Sequence, residues 1–501
     1  MDGMKRLSDV IAAPLKVWLL VPAMFLIMVS CGGSGGSADP VVLTPHLDFI
    51  RNLSPADGSF KVVVWLSDQN GSTVSFSGTP EVTSSRGTVS ALAERGDRKQ
   101  EATVTPDADK TGEYVVTLSA TVSGSNATVT HTAIVLEQVA DGWGQPYSVD
   151  GLVNTGGTQD SLAVSPDGQY LFLQYYPVTL SCILAHIITP GDPNDPNDLY
   201  CQTQRGPVTA PERPNMPGAE RVISASSIHH GCPALGFDPA PFPVPPISMY
   251  GFHRQADGSY AEPFVFMFTN NDGCFAPWGP SIKSNADGTY RMFMAFNDPR
   301  DSGTASDFAH IYDFSLTPGT TQVLGNTSYS GGVVIDNFVL NKASVAGTDG
   351  HRGNPHVYYS GSTPSLLFYD DETQASANQY IHVASWNGTS WATPVVLDFP
   401  PFNTTGYGDT QPYFDGSQLI LRNGTRLLSY AYNGGGVSWA ASWGAPVTLL
   451  ESDTSALPGK VIVVGEPTIA TIDGVEVLFF IYGIQQADGS VNLRAGQVRK
   501  E

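Results

Sequence analysis

The sequence predicts an all-β protein with two domains, a β-sandwich at about 41–138 and a β-propeller at 139–501. Gly and Pro are abundant, with 52 and 37 residues among 501, while charged residues make up only 14%. This composition suits short strands joined by many turns. Short apolar runs broken by Gly, Asn, Asp and Pro recur along the chain. A hairpin-like stretch, DSLAVSPDGQYLF at 160–172, returns in weaker copies.

These copies organise residues 139–501. A Trp-x-x-Pro-x-x-aliphatic motif, or a looser form of it, occurs at 143–149, 260–266, 391–397 and 443–449. Each copy leads to a polar residue that precedes Pro or Ser and an apolar run. The pairs are Asp160-Ser161, Asn354-Pro355, Gln411-Pro412 and Glu466-Pro467, whereas Ala276-Pro277 lacks the polar residue. Internal repeats of this length indicate a unit that buries its faces only by stacking on its neighbours.

The spacing of the repeats predicts the number of blades. Pro355, Pro412 and Pro467 lie about 55 residues apart, which is enough for four short strands per blade. With a hidden copy near 221–227 we predict a six-bladed propeller, and a five-bladed propeller is the alternative. The Pro-rich stretch 178–218 does not repeat, so we expect an inserted loop there.

The N-terminal sandwich is predicted from about seven short apolar runs in about 95 residues. Its segment TPDADKTGEYVVTLSATVSG, at 105–124, resembles the late strands of bacterial immunoglobulin-like domains. That resemblance implies an immunoglobulin-like β-sandwich acting as a spacer.

The first 40 residues predict export and a lipid anchor. Lys5, Arg6 and Lys16 precede an apolar run at 17–29, which is typical of a signal peptide covering 1–30. The MVSC ending at 28–31 resembles a bacterial lipobox, which implies lipidation of Cys31 and a membrane as a partner. Residues 31–40 then form a flexible tether. We therefore expect a lipoprotein of the bacterial cell envelope, facing the periplasm or the cell surface.

Four further cysteines are compatible with disulfides in an oxidising compartment. Sequence proximity favours Cys182–Cys201 and Cys232–Cys274 among the three possible pairings. The formal net charge of −22 argues against nucleic acid as a partner, because phosphate binding needs clustered Lys and Arg.

One hairpin resembles a known repeat family. SPDGQYLF at 165–172 is similar to the Pro-Asp type of WD-like repeat in TolB and many exported bacterial propellers. In that family the repeats are structural, so the resemblance implies a non-catalytic binding or scaffold module. We expect its ligand to be an envelope protein or a glycan.

The polar residues before the inner apolar runs are the candidate site. Asp160, Asn354, Gln411 and Glu466 should form a ring at the mouth of the channel, with His351 and His356 on either side of Asn354. The same residues would also serve as hydrogen-bonding caps in a plain propeller. The alternative function is a carbohydrate-active, glycoside hydrolase-like propeller. The ring resembles propeller glycosidases, with Asp160 and Glu466 as the catalytic carboxylates about 5 to 9.5 Å apart.

No cofactor is expected, apart from a calcium candidate in the loop 191–200. Its oxygen ligands would be Asp192, Asn194, Asp195, Asn197 and Asp198, which suit a hard cation. A plain Pro-rich turn explains the same residues. The recurrent Trp143, Trp391 and Trp443 are expected to pack between blades.

Overall fold

The computed structural model describes residues 42–51, 58–108, 110–154, 158–176, 248–268, 277–296, 310–316, 322–324, 327–329, 333–335, 341–342, 352–371, 379–402 and 408–501. Several expectations lie outside these ranges: the signal peptide with Cys31 and the tether, the four other cysteines, the loop 178–218, the calcium candidates, His351 and the hidden repeat copy. The described residues are all-β and contain no α-helix. Among them, no helix has the length and apolar character needed to cross a membrane.

The N-terminal domain consists of two facing sheets. Its strands are β1 (Thr44–Arg51), β2 (Phe60–Ser67), β3 (Thr73–Val74), β4 (Glu81–Ser84), β5 (Thr88–Val89), β6 (Ala93–Gly96), β7 (Lys99–Thr105), β8 (Gly112–Val122) and β9 (Ser125–Val135). One sheet has the order β1-β2-β7-β5, and the other contains β4, β8 and β9. Alternate residues of β8, such as Tyr114, Val116 and Leu118, are buried against Phe60 and Val62 of β2, as the two-residue period of a strand requires.

Two short strands connect this domain to the propeller, β10 (Gln138–Val139) and β11 (Tyr147–Ser148). Five sheets follow. The first contains β12 (Thr158–Val164), β13 (Tyr170–Tyr176), β14 (Ser248–Arg254) and β15 (Tyr260–Phe268), and the second contains β16 (Pro277–Ser284), β17 (Tyr290–Phe296), β18 (His310–Leu316) and β22 (Asn341–Lys342). Three short strands precede β22: β19 (Gln322–Leu324), β20 (Thr327–Tyr329) and β21 (Val333–Ile335), and β21 extends the first sheet.

The third sheet contains β23 (Arg352–Ser360), β24 (Thr363–Asp371), β25 (Ile381–Ser385) and β26 (Val395–Val396). The fourth contains β27 (Asp409–Phe414), β28 (Gln418–Asn423), β29 (Arg426–Ala431) and β30 (Val447–Glu451), with a 3₁₀ turn at Ala440–Ser442 before β30. The fifth contains β31 (Val461–Ile472), β32 (Val475–Gln485) and β33 (Val491–Arg499). We call these sheets blades 1 to 5.

The first strands of the blades, β12, β16, β23, β27 and β31, contact one another in a closed ring. They surround one axis, which is the arrangement of a β-propeller. Blade 5 takes its fourth strand from the other end of the chain, because β11 pairs with β33. The described residues thus supply five blades that close the ring, whereas the repeat spacing favoured six.

The recurrent tryptophans lie four residues before strands β11, β26 and β30, and they pack where blades meet. Trp143, Trp391 and Trp443 are only 4 to 5% exposed. The ring of Trp391 lies 6.4 Å from that of Phe293 in the preceding blade. Their burial explains why they recur with the blade, because each stacking interface needs a large apolar side chain.

The N-terminal domain and the propeller share a continuous sheet, with the order β31-β32-β33-β11-β9-β8-β4. Tyr147 of β11 pairs with Ala133 of β9 on one side and with Gln497 of β33 on the other. A second junction joins β10 to β30, where Gln138 lies opposite Glu451. The two domains are therefore connected by main-chain hydrogen bonds.

A half-buried ion pair reinforces this junction. Both carboxylate oxygens of Glu113 in β8 accept hydrogen bonds from Nη1 of Arg494 in β33, at 2.8 Å. The hydroxyl of Tyr482 in β32 donates to the same carboxylate at 2.7 Å. Removing the carboxylate would leave a largely desolvated guanidinium without its counter-charge.

We predict that Glu113→Ala lowers the free energy of unfolding by about 2 to 3 kcal/mol, because Arg494 loses its buried partner. Guanidinium denaturation followed by tryptophan fluorescence measures this. Glu476→Ala is the control, since its pair with Lys500 is exposed and should contribute less than about 1 kcal/mol. Equal effects of the two variants would contradict a stabilising role for the junction.

Candidate functional site

The five inner strands carry the same irregularity. Each has a β-bulge in its pairing with the second strand. At each bulge one residue has a positive φ: Ser161 (54°), Gly279 (58°), Asn354 (45°), Gln411 (55°) and Glu466 (52°). This conformation costs a non-glycine residue about 1 to 2 kcal/mol, and such strain often marks functional sites.

These bulges line one pocket on the propeller axis, which we call the axial pocket. Its lining residues are Ser161, Leu162, Gly279, Pro280, Asn354, Pro355, His356, Gln411, Pro412, Glu466, Pro467 and Thr468. The cavity has a volume of about 30 Å³. It can hold a water molecule or one hydroxyl-bearing group, whereas pockets that enclose a whole small molecule typically measure about 300 to 1,000 Å³.

The sequence analysis found three of the five bulge residues and misplaced two. Asn354, Gln411 and Glu466 occupy equivalent positions, each followed by proline. In blade 1 the equivalent residue is Ser161, so Asp160 lies one position earlier than assumed. In blade 2 it is Gly279, not Ala276. A Cβ atom at Gly279 would lie 2.5 Å from Cα of Asn354, so only glycine fits.

A chain of hydrogen bonds links the inner strands of blades 3, 4, 5 and 1. Asp370 Oδ2 accepts from Asn354 Nδ2 at 2.9 Å and from the backbone N–H of Gln411 at 2.8 Å. The Gln411 side chain in turn accepts from the N–H of Glu466 at 3.0 Å and donates to Glu466 Oε1 at 3.3 Å. Glu466 Oε2 accepts from the N–H of Leu162 at 2.7 Å. The polar ring thus caps backbone groups that face the axis.

Glu466 and Asp160 form a hydrogen-bonded pair of carboxyl groups. Burial raises the pKa of Glu466 well above its usual range, and the charge of Asp160 raises it further. Burial also raises the pKa of Asp160. Because two adjacent buried carboxylates repel each other, the pair retains a proton. We place this proton on Glu466.

This contact corrects one sequence-based hypothesis. The two catalytic carboxylates of a glycosidase are separated by about 5 Å or more, so that the sugar or a water fits between them. The hydrogen bond between Asp160 and Glu466 implies a shorter separation, which does not fit an acid and an opposing base or nucleophile. They form a single proton-holding unit instead.

Two charged residues near this unit were missed by the sequence analysis. Arg422 of β28 is half-buried, and the carboxylates of Glu466, Asp160 and Asp370 all act on its pKa, which places its charge among them. Asp370 of β24 is fully buried. Both residues belong to second strands, whereas the repeat motif marks inner strands. A charge inside an apolar run, as in QLILRN at 418–423, was the available signal.

His356 lies in the pocket lining as a neutral side chain. Burial lowers its pKa to about 4. Its Nε2 lies 2.8 Å from the carbonyl oxygen of Phe414, and because a carbonyl only accepts, Nε2 carries the proton. Nδ1 is therefore a hydrogen-bond acceptor. Among the described residues no cluster of three or more His, Cys, Asp and Glu side chains could hold a metal ion.

Comparisons with known proteins do not assign this chain to a family. No protein-family model and no curated protein sequence matches it. Among solved structures, an α-L-arabinofuranosidase from Lactobacillus brevis is 10% identical, with 70% of this chain and 92% of that chain covered and a TM-score of 0.39. A thermostable family-43 glycoside hydrolase is also 10% identical, with coverage of 70% and 92% and a TM-score of 0.35. A neuraminidase-like N11 protein from a flat-faced bat influenza virus is 11% identical, with coverage of 73% and 93% and a TM-score of 0.30. With TM-scores below 0.5, these similarities establish neither fold nor function.

We predict that Glu466→Gln changes the pH dependence of stability. The native pair holds a proton that the unfolded chain releases above about pH 4, so this pair destabilises the fold as the pH rises above that value. Relative to the parent, Glu466→Gln should be neutral at pH 4 and stabilising at pH 7, by about 1.4 kcal/mol for each unit of the raised pKa. Urea unfolding at both pH values measures the difference.

Glu137→Gln serves as the control for that experiment, because Glu137 is exposed and its substitution should leave the pH profile unchanged. A parallel decline in the parent and in Glu466→Gln between pH 4 and pH 7 would show that the pair holds no shared proton.

Proposed function

We propose that the chain is a carbohydrate-active, five-bladed propeller that acts on a glycan at the axial pocket, with an immunoglobulin-like domain preceding it. One observation carries the proposal: a proton-holding carboxyl pair, Asp160 and Glu466, lies where all five inner strands meet. Cleavage of a glycosidic bond needs a carboxylic acid that stays protonated near neutral pH. Carboxyl groups with strongly perturbed pKa values also cluster at functional sites.

Glu466 is the proton donor in this proposal. It transfers its proton to the oxygen of the leaving group as the glycosidic bond breaks. Donation leaves a second negative charge beside Asp160, and the guanidinium of Arg422 offsets it. Because the cavity admits about one hydroxyl-bearing group, the substrate presents the end of a glycan, with most of the sugar ring outside the cavity.

A second carboxylate, Asp370, lies behind the pocket lining. Gln411 lies between Asp370 and Glu466 and donates to both. Because Asp370 is fully buried and absent from the lining, it holds Asn354 and Gln411 in position and does not meet the substrate. Gln411 therefore spaces the carboxyl groups of blades 3 and 5 while holding each in place.

We predict that the folded protein hydrolyses at least one member of a panel of chromogenic glycosides and oligosaccharides. Glu466→Gln should lower kcat/KM at least 100-fold, which is the usual contribution of a general acid. Asp370→Asn should lower it by a smaller factor, because Asn354 and Gln411 lose their charged acceptor. Asp409→Asn is the matched control, since Asp409 is an equally buried carboxylate that accepts from Asn423 and is not part of the hydrogen-bond chain that runs from Asp370 through Gln411 to Glu466.

Thermal melts of every variant accompany these assays. Full turnover by a folded Glu466→Gln would eliminate Glu466 as the acid. An absence of turnover by the parent on the whole panel would favour the second candidate function.

That second candidate is a non-catalytic module that binds an envelope protein or a glycan. It is favoured by the hydrogen bonds within the ring, because Asn354, Gln411 and Glu466 all cap neighbouring groups. A glycan array and calorimetric titration distinguish the two functions: binding without turnover supports the module.

We also propose that the protein is a lipoprotein of the bacterial cell envelope, acylated at Cys31, as the lipobox-like sequence at 28–31 indicates. We predict that cells fed a clickable palmitate analogue label the parent and not Cys31→Ser. Labelled parent protein should enter the detergent phase of Triton X-114. Equal labelling of Cys31→Ser would exclude this anchor, and Cys182→Ser is the control.

A further inference from the structure

Trp439 is the most exposed large hydrophobic side chain among the described residues, with 64% of its surface accessible. It belongs to the segment NGGGVSW at 433–439, between β29 and β30. This loop lies where β27 ends, because the N–H of Tyr432 donates to the carbonyl of Ser417 in the next turn, at 2.6 Å. Trp439 is thus separate from the axial pocket, whose lining consists of inner-strand residues.

One face of the indole rests on glycine main chain. A Cβ atom added at Gly435 or Gly436 would lie 3.4 Å from carbon atoms of the Trp439 ring. The backbone at the two glycines thus lies against the ring. At Gly435 a side chain would also come within 2.9 Å of Ser442 Oγ on a backbone with a φ of 95°, which favours glycine there.

The loop that holds Trp439 is tied down on both sides. The hydroxyl of Tyr432 donates to the carbonyl of Gly435 at 2.9 Å, and Nε1 of the buried Trp443 donates to the carbonyl of Val437 at 3.0 Å. The N–H of Trp439 donates to Gly436 O at 3.0 Å, and its carbonyl accepts from Ser442 at 2.9 Å. A ligand would therefore bind to a preformed platform, and little conformational entropy of the loop would be lost on binding.

The surroundings of the indole decide what kind of ligand fits. Its neighbours in the loop are glycines, the half-buried Val437, the exposed small residues Ala440 and Ala441, and the exposed polar residues Asn433 and Ser438. The core of a protein interface requires a contiguous apolar patch, which these residues do not supply. A sugar ring has a C–H face, which is attracted to the electron-rich face of an indole, and a rim of hydroxyl groups for polar neighbours.

We propose that Trp439 is a glycan-binding platform outside the axial pocket, which stacks one sugar ring of a polysaccharide. Asn433 and Ser438 bond to its hydroxyl rim. The inference is independent of catalysis at Glu466, because Trp439 lies in a loop of blade 4 whereas Glu466 lies on the inner strand of blade 5. A platform of this kind holds a polymer on the propeller whether or not the protein cleaves it.

The test is affinity electrophoresis of the full chain, lacking only its signal peptide, in gels containing arabinan, xylan, mixed-linkage β-glucan or mannan. At least one polymer should retard the parent, and Trp439→Ala should weaken that binding at least five-fold with an unchanged Tm. Trp439→Phe should retain part of the binding. Val447→Ala is the matched control, because Val447 is an apolar side chain of similar exposure, 56%, on the adjacent strand.

Glu466→Gln should bind the polymer as the parent does, so that loss of catalysis and loss of the platform remain distinguishable. Iodide quenching of tryptophan fluorescence gives a second readout: the polymer should protect a fraction of the parent's emission and none in Trp439→Phe. Migration of the parent unaffected by every polymer, or equal retardation of Trp439→Ala, would overturn the proposal. Dimerisation that Trp439→Ala abolishes would overturn it too, by identifying a second copy as the occupant.

Discussion

The axis of the propeller imposes one constraint on which the rest of the site depends. Each inner strand is the edge of its sheet, so its N–H and C=O groups on that side have no neighbouring strand. Four of the five inner strands lack one of these N–H groups because proline follows the bulge residue. These prolines are Pro280, Pro355, Pro412 and Pro467. In the fifth strand Leu162 keeps its N–H, and the Glu466 carboxyl accepts it. Polar side chains converge on the axis because the strand edges require acceptors there.

The same constraint creates the chemistry. Capping groups that converge on a small volume are desolvated, and a carboxyl group in such a place favours its neutral form. Asp160 and Glu466 come from blades 1 and 5, far apart in sequence, and meet because the ring closes between these blades. The positive charge of Arg422 partly offsets the negative charge of the carboxylates in this cluster. A structural requirement of the fold thus yields a carboxyl group whose pKa lies well above its usual range.

The sequence predicted the parts of this arrangement that repeat along the chain. Asn354, Gln411 and Glu466 could be aligned because a proline follows each, and proline after a polar residue is visible without a structure. The sequence pattern did not identify Ser161 and Gly279 as bulge residues, because blade 1 has leucine at the proline position and blade 2 has glycine at the polar position. Asp370 and Arg422 were missed for a different reason: they lie on second strands, which the repeat motif does not mark, and each contacts residues of another blade. Turn and strand patterns could likewise not reveal that Tyr147 pairs with a strand of the N-terminal domain on one side and a strand of the propeller on the other.

A capping role for Glu466 is compatible with a role as proton donor. Capping uses carboxyl lone pairs that accept from Leu162 and Gln411, and these remain acceptors whether or not the group is protonated. Loss of the proton strengthens both bonds, because a charged acceptor binds an N–H more tightly than a neutral one. The backbone of blade 1 and the amide of Gln411 therefore stabilise the carboxylate that donation produces, while burial and Asp160 stabilise the acid that precedes it. The balance between these two opposing effects sets the pKa, so the residues that hold the ring together also determine how readily Glu466 gives up its proton.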